Sequence, residues 1–405
     1  MHAVVLGAGV IGVTTAFYLA KRGFRVTVVD RAEAVASGAS HANAGQLSYS
    51  FTDALARPGM PGKLPGLIFG SDDAIRLRPM PDLNFICWGL HFVRQCTAEN
   101  YGRNTATVLQ LAMRSSGLLD ELRREFDFDF AFRKAGKLVL YRRAGDLAAA
   151  ERSVLLKRGF GCQTRVLTLR EACEIEPAIE SMRGEYAGAV YSADDHLGDA
   201  RLFTMRLAEL LRDRYHAEFR LGCEAQAVLT ANGRASGVQL VDGVLHADSV
   251  VACLGAWSRS LLGTLPGGQP LVPVRGYSVT LPQGSHAPSV SISDAERRIV
   301  FSSMNGEVRI AGFADFVGFD ESADRKRIGM LLDLARDIAP LAADYGASLR
   351  RDWGGFRPMT ANSQPIVGPA RIPGLWLNCG HGMLGWTLAC ATGFDVAQQL
   401  ASSQV

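Results

Sequence analysis

The sequence predicts an α/β fold in which a Rossmann-type dinucleotide-binding domain, assembled from discontinuous segments, is joined to a second α+β domain built on an antiparallel sheet. Three observations predict it. Residues 2–30 read as strand, glycine turn, helix and strand; residues 273–312 read as successive strands with no helix between them; and a buried strand near the carboxyl end breaks at glycines into a helix.

The apolar run 2–6 feeds Gly7, Ala8, Gly9, Val10, Ile11 and Gly12, which open a helix through about Lys21, and a strand over 24–29 closes on Asp30. The three glycines supply the tight turn, the close approach of backbone to a pyrophosphate, and the contact of helix with strand. Asp30 follows Gly12 by eighteen positions. A carboxylate there accepts hydrogen bonds from both ribose hydroxyls of an adenosine and repels a 2′-phosphate, which disfavours NADP. After Asp30 and Arg31, residues 37–46 are small, polar and rich in donors, with Ser40, Asn43, Ala44, Gly45 and Gln46 able to follow a pyrophosphate toward a ring system.

Residues 52–80 are rich in proline and glycine and read as a crossing loop without helix or central strand. Residues 109–126 form an amphipathic helix, 136–141 a strand, 167–175 a helix, 188–191 a strand and 192–198 a turn, after which Asp199 caps a helix over 201–215. Residues 218–248 give a strand and then a hairpin, with turns at Asn232-Gly233 and Asp242-Gly243. The strand 249–254 ends at Gly255-Ala256-Trp257. Four strands over 274–312, with Asn305-Gly306 as one turn, precede a helix over about 323–337. At the carboxyl end come Gly354-Gly355-Phe356-Arg357-Pro358-Met359-Thr360, then a buried strand and Gly380-His381-Gly382-Met383-Leu384-Gly385-Trp386-Thr387, opening a helix through about Gln399. Such a helix start presents N–H groups and a positive dipole end to whatever lies above it. The division read from this order puts 1–57, 199–262 and 350–405 in the nucleotide domain and 58–198 and 263–349 in the second.

Composition narrows the function classes. At 405 residues the chain exceeds one hydrophobic core. A net charge of +3 and the absence of a matching motif argue against nucleic acid. The apolar stretch 85–93 is too short to span a bilayer. The first strand begins at once after Met1, so cytoplasmic synthesis without a signal peptide is expected. The eight cysteines include no CxxC pair, so neither a metal site nor a disulfide framework is expected.

The Asn43-Ala44-Gly45-Gln46 run, the Gly255-Ala256-Trp257 turn and above all the Gly-His-Gly-Met-Leu-Gly-Trp-Thr run resemble the D-amino-acid oxidase and glycine oxidase superfamily, in the pattern of bacterial D-amino acid dehydrogenases, from residue 1 to about residue 400. Cys379 and Asn362-Ser363-Gln364 depart from that pattern. The resemblance implies FAD, bound by Gly7, Gly9, Val10, Ile11, Gly12, Asp30, Arg31, Ser40, Asn43, Ala44, Gly45, Gln46, Gly255, Trp257, Gly380, Gly382, Met383, Leu384, Gly385, Trp386 and Thr387. It is held without a covalent bond, because no cysteine stands beside Arg357-Pro358-Met359, where sarcosine-oxidase-like relatives attach it. The substrate carboxylate is expected on Arg357, with the Tyr277 hydroxyl as its helper facing the cavity, and Gln46, His381 and Gly382 beside them. The implied chemistry is oxidation of a D-amino acid to a 2-oxo acid and ammonia by hydride transfer from Cα to the flavin N5, with electrons passed to a quinone or another acceptor. A D-proline or cis-4-hydroxy-D-proline substrate, an oxygen-using oxidase, an FAD subunit of an electron-transfer complex, and a nicotinamide-dependent dehydrogenase using the same amino-terminal motif are the alternatives. Leu64, Leu67, Ile68 and Phe69 either touch a bilayer or quinone at the inner membrane, or cover the flavin cavity.

Overall fold

The structure is a computed structural model that describes residues 1–403 apart from 71, 79, 264–268 and 323. A six-stranded sheet runs in the spatial order Ile366–Pro369, Leu375–Cys379, Ser249–Ala252, His2–Leu6, Arg25–Asp30, Glu218–Leu221. All neighbours in it are parallel except the edge strand Ile366–Pro369. Alternation along His2–Leu6 sends Ala3 and Val5 to one core, with Phe17, Phe203, Leu207 and Val396 from the helices Val10–Lys21, Ala200–Tyr215 and Gly385–Ser402. Val4 and Leu6 go to the other, beneath Val238 and Leu240 of the meander Ala225–Ala231, Arg234–Leu240, Gly243–His246. Both faces are covered, as a parallel sheet requires.

The larger sheet has nine strands. Its main path is Arg351–Thr360, Leu271–Pro282, Glu307–Phe316, Ile299–Met304, Ser291–Asp294, Lys137–Tyr141, Gly188–Ser192 and Thr164–Leu167, with Ile75–Leu77 paired to Glu307–Phe316. It is antiparallel except where Lys137–Tyr141 meets Ser291–Asp294 and where Ile75–Leu77 joins. One face packs Tyr277, Val279, Ile299 and Ile310 on Leu331 and Ala335 of the helix Asp324–Ile338. The opposite face, with Val300 and Ala311, borders a cavity of about 3090 Å³ that also reaches Tyr277 and Ile299 and continues to the carboxyl ends of His2–Leu6 and Arg25–Asp30.

Several expectations need correction. Segment 52–80 is not wholly loop: it holds a short helix, Leu64–Ile68, and the strand Ile75–Leu77. Pro65 stands in the helix's first turn, where the missing N–H costs nothing. The helix expected over 109–126 runs Ala98–Glu125, because Thr97 accepts from the Asn100 N–H and starts it a cap earlier. The helix Ala144–Arg158 and the strand Thr164–Leu167 were unforeseen. Asp199 does cap its helix, accepting from the N–H groups of Arg201 and Leu202. The helix expected to begin at Ala323 is described from Asp324, Ala323 lying outside the described residues. Arg351–Thr360, which the sequence division groups with the nucleotide segments, is paired along its whole length to Leu271–Pro282 of the larger sheet.

Candidate active site

The glycine turn is shaped by contact with its own chain. Gly7 has φ +106°, and a Cβ on it would press on the Cys253 carbonyl; a Cβ on Gly12 would overlap the Gly7 carbonyl. Gly9 differs: a Cβ there would meet only Ser40 Oγ, at 3.4 Å. Gly255, with φ +55°, faces open space. Gly7 and Gly12 therefore let the helix close on the strand, while Gly9 and Gly255 leave a bare cradle along the cavity. Ser40 Oγ accepts from the Val10 N–H at 3.0 Å, fastening segment 37–46 over the start of the helix.

Asp30 ends its strand half-buried, accepting from the N–H groups of Ala8 at 2.6 Å and Ala32 at 2.8 Å. Each carboxylate oxygen accepts more than one hydrogen bond, so the same group can still serve a ribose. Arg31 lays its guanidinium 3.9 Å from the Trp257 ring centroid, and Trp257 stacks on Phe319. Asn43 Oδ1 accepts from the Gly45 N–H. The Gln46 amide donates to Ser291 and Ser293 and accepts from Lys137 Nζ at 3.1 Å. Thr387 Oγ1 accepts from the Ser48 N–H at 3.0 Å, which ties the two glycine-rich segments together.

Arg357 rises from Arg351–Thr360 over Gly276 of the neighbouring strand, where any side chain would overlap its guanidinium. Its one hydrogen bond runs from Nη1 to the Phe313 carbonyl, 2.7 Å away. No carboxylate pairs with it among the described residues. The side chain lies deep in the molecule, with its residual exposure at the cavity. Burial pushes its pKa down to about 10, against the pull of Asp315 and Tyr277. A guanidinium still charged at neutral pH, deep at the cavity and short of acceptors, is a strong receptor for an anion.

The expected sites that line the shared cavity are all of those named above except Gly12 and Gly380. Gly380 is a packing glycine, since a Cβ on it would press on Thr360. Three side chains in the expected set do not present themselves as expected. Tyr277 is 1% exposed; its ring packs in the helix-side core and its hydroxyl donates to Asp315 at 2.9 Å, in a network with Arg327 and Arg76. Strand alternation puts Tyr277 on the face opposite the guanidinium that lies over Gly276. His381 is buried, its Nε2 bonded to Thr392 Oγ1, and burial pushes its pKa down to about 3. Trp386 donates from Nε1 to the Gly198 carbonyl and packs against Phe203 and Phe130 as core.

Sequence reading missed Lys137, Phe51 and the Phe313 carbonyl, all of them around the cavity. Phe313 accepts from Arg357 because a bulge, with φ +62° at Phe313, breaks the register between Arg275 and Tyr277. No sequence pattern marks that bulge. Lys137 did leave a signal: it is the one charged residue in the otherwise uncharged strand text 136–141.

Residues 2–399 match the family DAO, described as FAD dependent oxidoreductase. D-amino acid dehydrogenase 2 of Ralstonia nicotianae is 37% identical over 99% of this chain and 96% of its own length. A D-amino acid dehydrogenase of Vibrio vulnificus is 32% identical over 100% and 97%. Among solved structures, glycine oxidase from Bacillus cereus superposes with a TM-score of 0.76 at 21% identity, covering 100% of this chain and 96% of that one. L-proline dehydrogenase from P. horikoshii gives 0.73 at 19%, over 99% and 93%. The bare cradle, the acid at the strand end and the open helix start fit the cofactor that the family name carries.

Proposed function

This chain belongs to the DAO family of FAD-dependent oxidoreductases, and from that membership we propose that it is a D-amino acid dehydrogenase, yielding a 2-oxo acid and ammonia after hydrolysis of the imino product. The observation that carries the reading is Arg357, a deep guanidinium with one backbone acceptor and no counterion among the described residues. An amino acid brings the missing planar anion, and a bidentate pair fixes both position and rotation of Cα. The full-length relatives named D-amino acid dehydrogenase support the substrate class and its configuration.

When bound, FAD supplies the hydride acceptor, and the protein supplies binding, orientation and electrostatics. In this reading Asp30 accepts from the adenosine ribose, the first turn of Val10–Lys21 and the Ser40–Gln46 backbone hold the pyrophosphate, and Gly382 to Thr387 direct N–H groups at the ring. The cofactor is held without a covalent bond. Segments 1–57, 199–262 and 350–405 contribute the cofactor side and 58–198 and 263–349 the substrate side, with Arg351–Thr360 crossing between them. Tyr277 then acts through Asp315, holding the sheet beneath Arg357, rather than on the substrate. His381 acts as a neutral spacer.

Electrons leave to a quinone or a comparable acceptor. Phe69 and Ile68 project from the cavity rim at 88% and 46% exposure, and Leu83, Ile86, Leu90 and Val93 form an exposed stripe on the helix Leu83–Gln95. Those residues suit a bilayer surface from which an apolar acceptor arrives. The experiment is a substrate profile of the FAD-loaded protein with an artificial acceptor, setting D- and L-amino acids, D-proline, cis-4-hydroxy-D-proline, glycine and simple amines side by side. Turnover of D-amino acids far above their L-enantiomers is the expected result. A preference for an amine lacking a carboxylate contradicts it.

A further inference from the structure

Beside Gln46 lies a cluster of buried polar groups that carboxylate anchoring leaves unused. Lys137 is 5% exposed, and its Nζ donates to Gln46 Oε1 at 3.1 Å and to Ser48 Oγ at 3.0 Å, 4.2 Å from the centroid of the Phe51 ring. An ammonium carries three donors, and no ion pair holds this one among the described residues. Lys157 shows the contrast: it lies over the same ring at 5.1 Å but is locked to Asp53, which Tyr101 and Ser153 also hold.

Asp195 is 1% exposed, and its Oδ1 accepts from the Ser50 N–H at 2.7 Å. Its Oδ2, together with the buried hydroxyls of Ser50, Thr52 and Thr164, has no partner. Polar groups buried without a protein partner are the kind that ordered water satisfies. Lys137, Thr164 and Ser192 of this cluster line the main cavity.

We propose that Lys137 and Asp195 form a water-linked proton relay beside Gln46, receiving the proton that an amino substrate must lose before hydride leaves Cα. The inference rests on the amino acid reading given above. The substrate ammonium gives one N–H proton, through water, to the neutral Lys137 amine. The freed nitrogen lone pair forms the C=N bond as the Cα–H bond breaks, and that bond's electron pair goes as hydride to the bound FAD. Protonated Lys137 then yields its proton through Asp195 and linking water to solvent.

The electrostatics agree with this geometry. Burial pushes the Lys137 amine down to about 8, with Asp195 and Asp53 pulling it up and Lys157 pushing it further down. Burial pushes the Asp195 carboxyl up to about 6 against the pull of Lys137, the Ser50 N–H and Lys157. Two groups that titrate on either side of neutrality, close enough to bias one another yet not paired, can both exchange protons at working pH.

The test uses FAD-loaded protein with the lysine ε-carbons labelled for NMR, alongside anaerobic flavin reduction by a D-amino acid followed across pH. One lysine resonance should titrate with a midpoint near 8 and be missing from Lys137→Met. The parent's reduction rate should rise through the same midpoint. Lys137→Met, with its flavin spectrum intact, should lose that limb and reduce about 100-fold more slowly. Asp195→Asn removes the charge that holds the amine up, so both midpoints should move to lower pH. A lysine spectrum with every midpoint near about 10.4, a Lys137→Met variant with the parent's rate and profile, or an Asp195→Asn variant with unmoved midpoints overturns the relay. If no D-amino acid bleaches the parent flavin, the functional reading fails instead, and the NMR midpoints still decide whether the pair is proton-labile.

Discussion

At the scale of single residues, the account turns on groups whose charge is left for a ligand to satisfy. Arg357 has one acceptor where five N–H donors are available. Asp30 already steadies the turn through Ala8 and Ala32, so Asp30→Ala would loosen backbone as well as binding. Asp30→Asn keeps the shape and removes the charge; its amide still accepts one of those two backbone N–H groups, so it loses one turn contact together with the ribose contacts, where alanine loses both turn contacts. It should weaken FAD by about 1.5–3 kcal/mol in titrations of the apo-protein, and unchanged affinity would remove Asp30 from the site. His381 gives a pH prediction. Its folded pKa is depressed to about 3 by burial, against about 6.5 when unfolded. The unfolded chain therefore takes up a proton that the native chain refuses, and stability present above about pH 6.5 is lost as pH falls toward about 3, by up to about 1.4 kcal/mol per unit. Urea unfolding of His381→Asn should show a flatter acid side than the parent protein. An equally steep one would assign the loss to other groups.

At the scale of elements, the glycines separate by what stands over them. Gly12→Ala drives a Cβ into the Gly7 carbonyl and should destabilise even the apo-protein by about 1–3 kcal/mol. Gly9→Ala meets only Ser40 Oγ; it should leave the apo-protein within about 0.5 kcal/mol and weaken FAD. Thermal unfolding with and without FAD checks the pair, and equal effects in both states for both variants would contradict the division. Elements were legible where local signals acted alone, as in the turn of residues 7–12, the Asp199 cap and the Asn232-Gly233 hairpin turn, whose φ values are +52° and +74°. They were illegible where partners decide. Ala144–Arg158 buries only Val154 and Lys157, so its apolar pattern is faint. Leu64–Ile68 forms in spite of its proline and glycine text.

At the scale of the whole molecule, two sheets face one cavity, and the site is the seam between them. The nucleotide half was legible because glycine spacing reports backbone approach directly. In the substrate half, the arginine that the sequence singled out, Arg357, does lie at the cavity with a single backbone acceptor. The side on which Tyr277 falls depends on strand register and on the bulge at Phe313, and Trp386 is drawn into the core by Phe203; neither follows from local sequence. The exposed stripe Leu83, Ile86, Leu90 and Val93 lies on a helix without an acidic residue, so liposome flotation should recover the protein with anionic vesicles, and Leu90→Asp with Phe69→Asp should abolish recovery. Protein that stays at the bottom with every vesicle would leave those side chains as cover for the cavity.

The central claim is that Arg357 holds an amino acid carboxylate so that Cα faces the flavin, and its most direct measurement is anaerobic bleaching of bound FAD by a D-amino acid in the parent, Arg357→Ala and Arg357→Lys proteins. Losing one partner of a buried pair should slow reduction at limiting substrate by about 3–5 kcal/mol in Arg357→Ala. Arg357→Lys should recover only part of it, because a point charge lacks the planar fork, and all three should keep the same oxidised flavin spectrum. Bleaching of the alanine variant within a few-fold of the parent would place the carboxylate elsewhere and contradict the account.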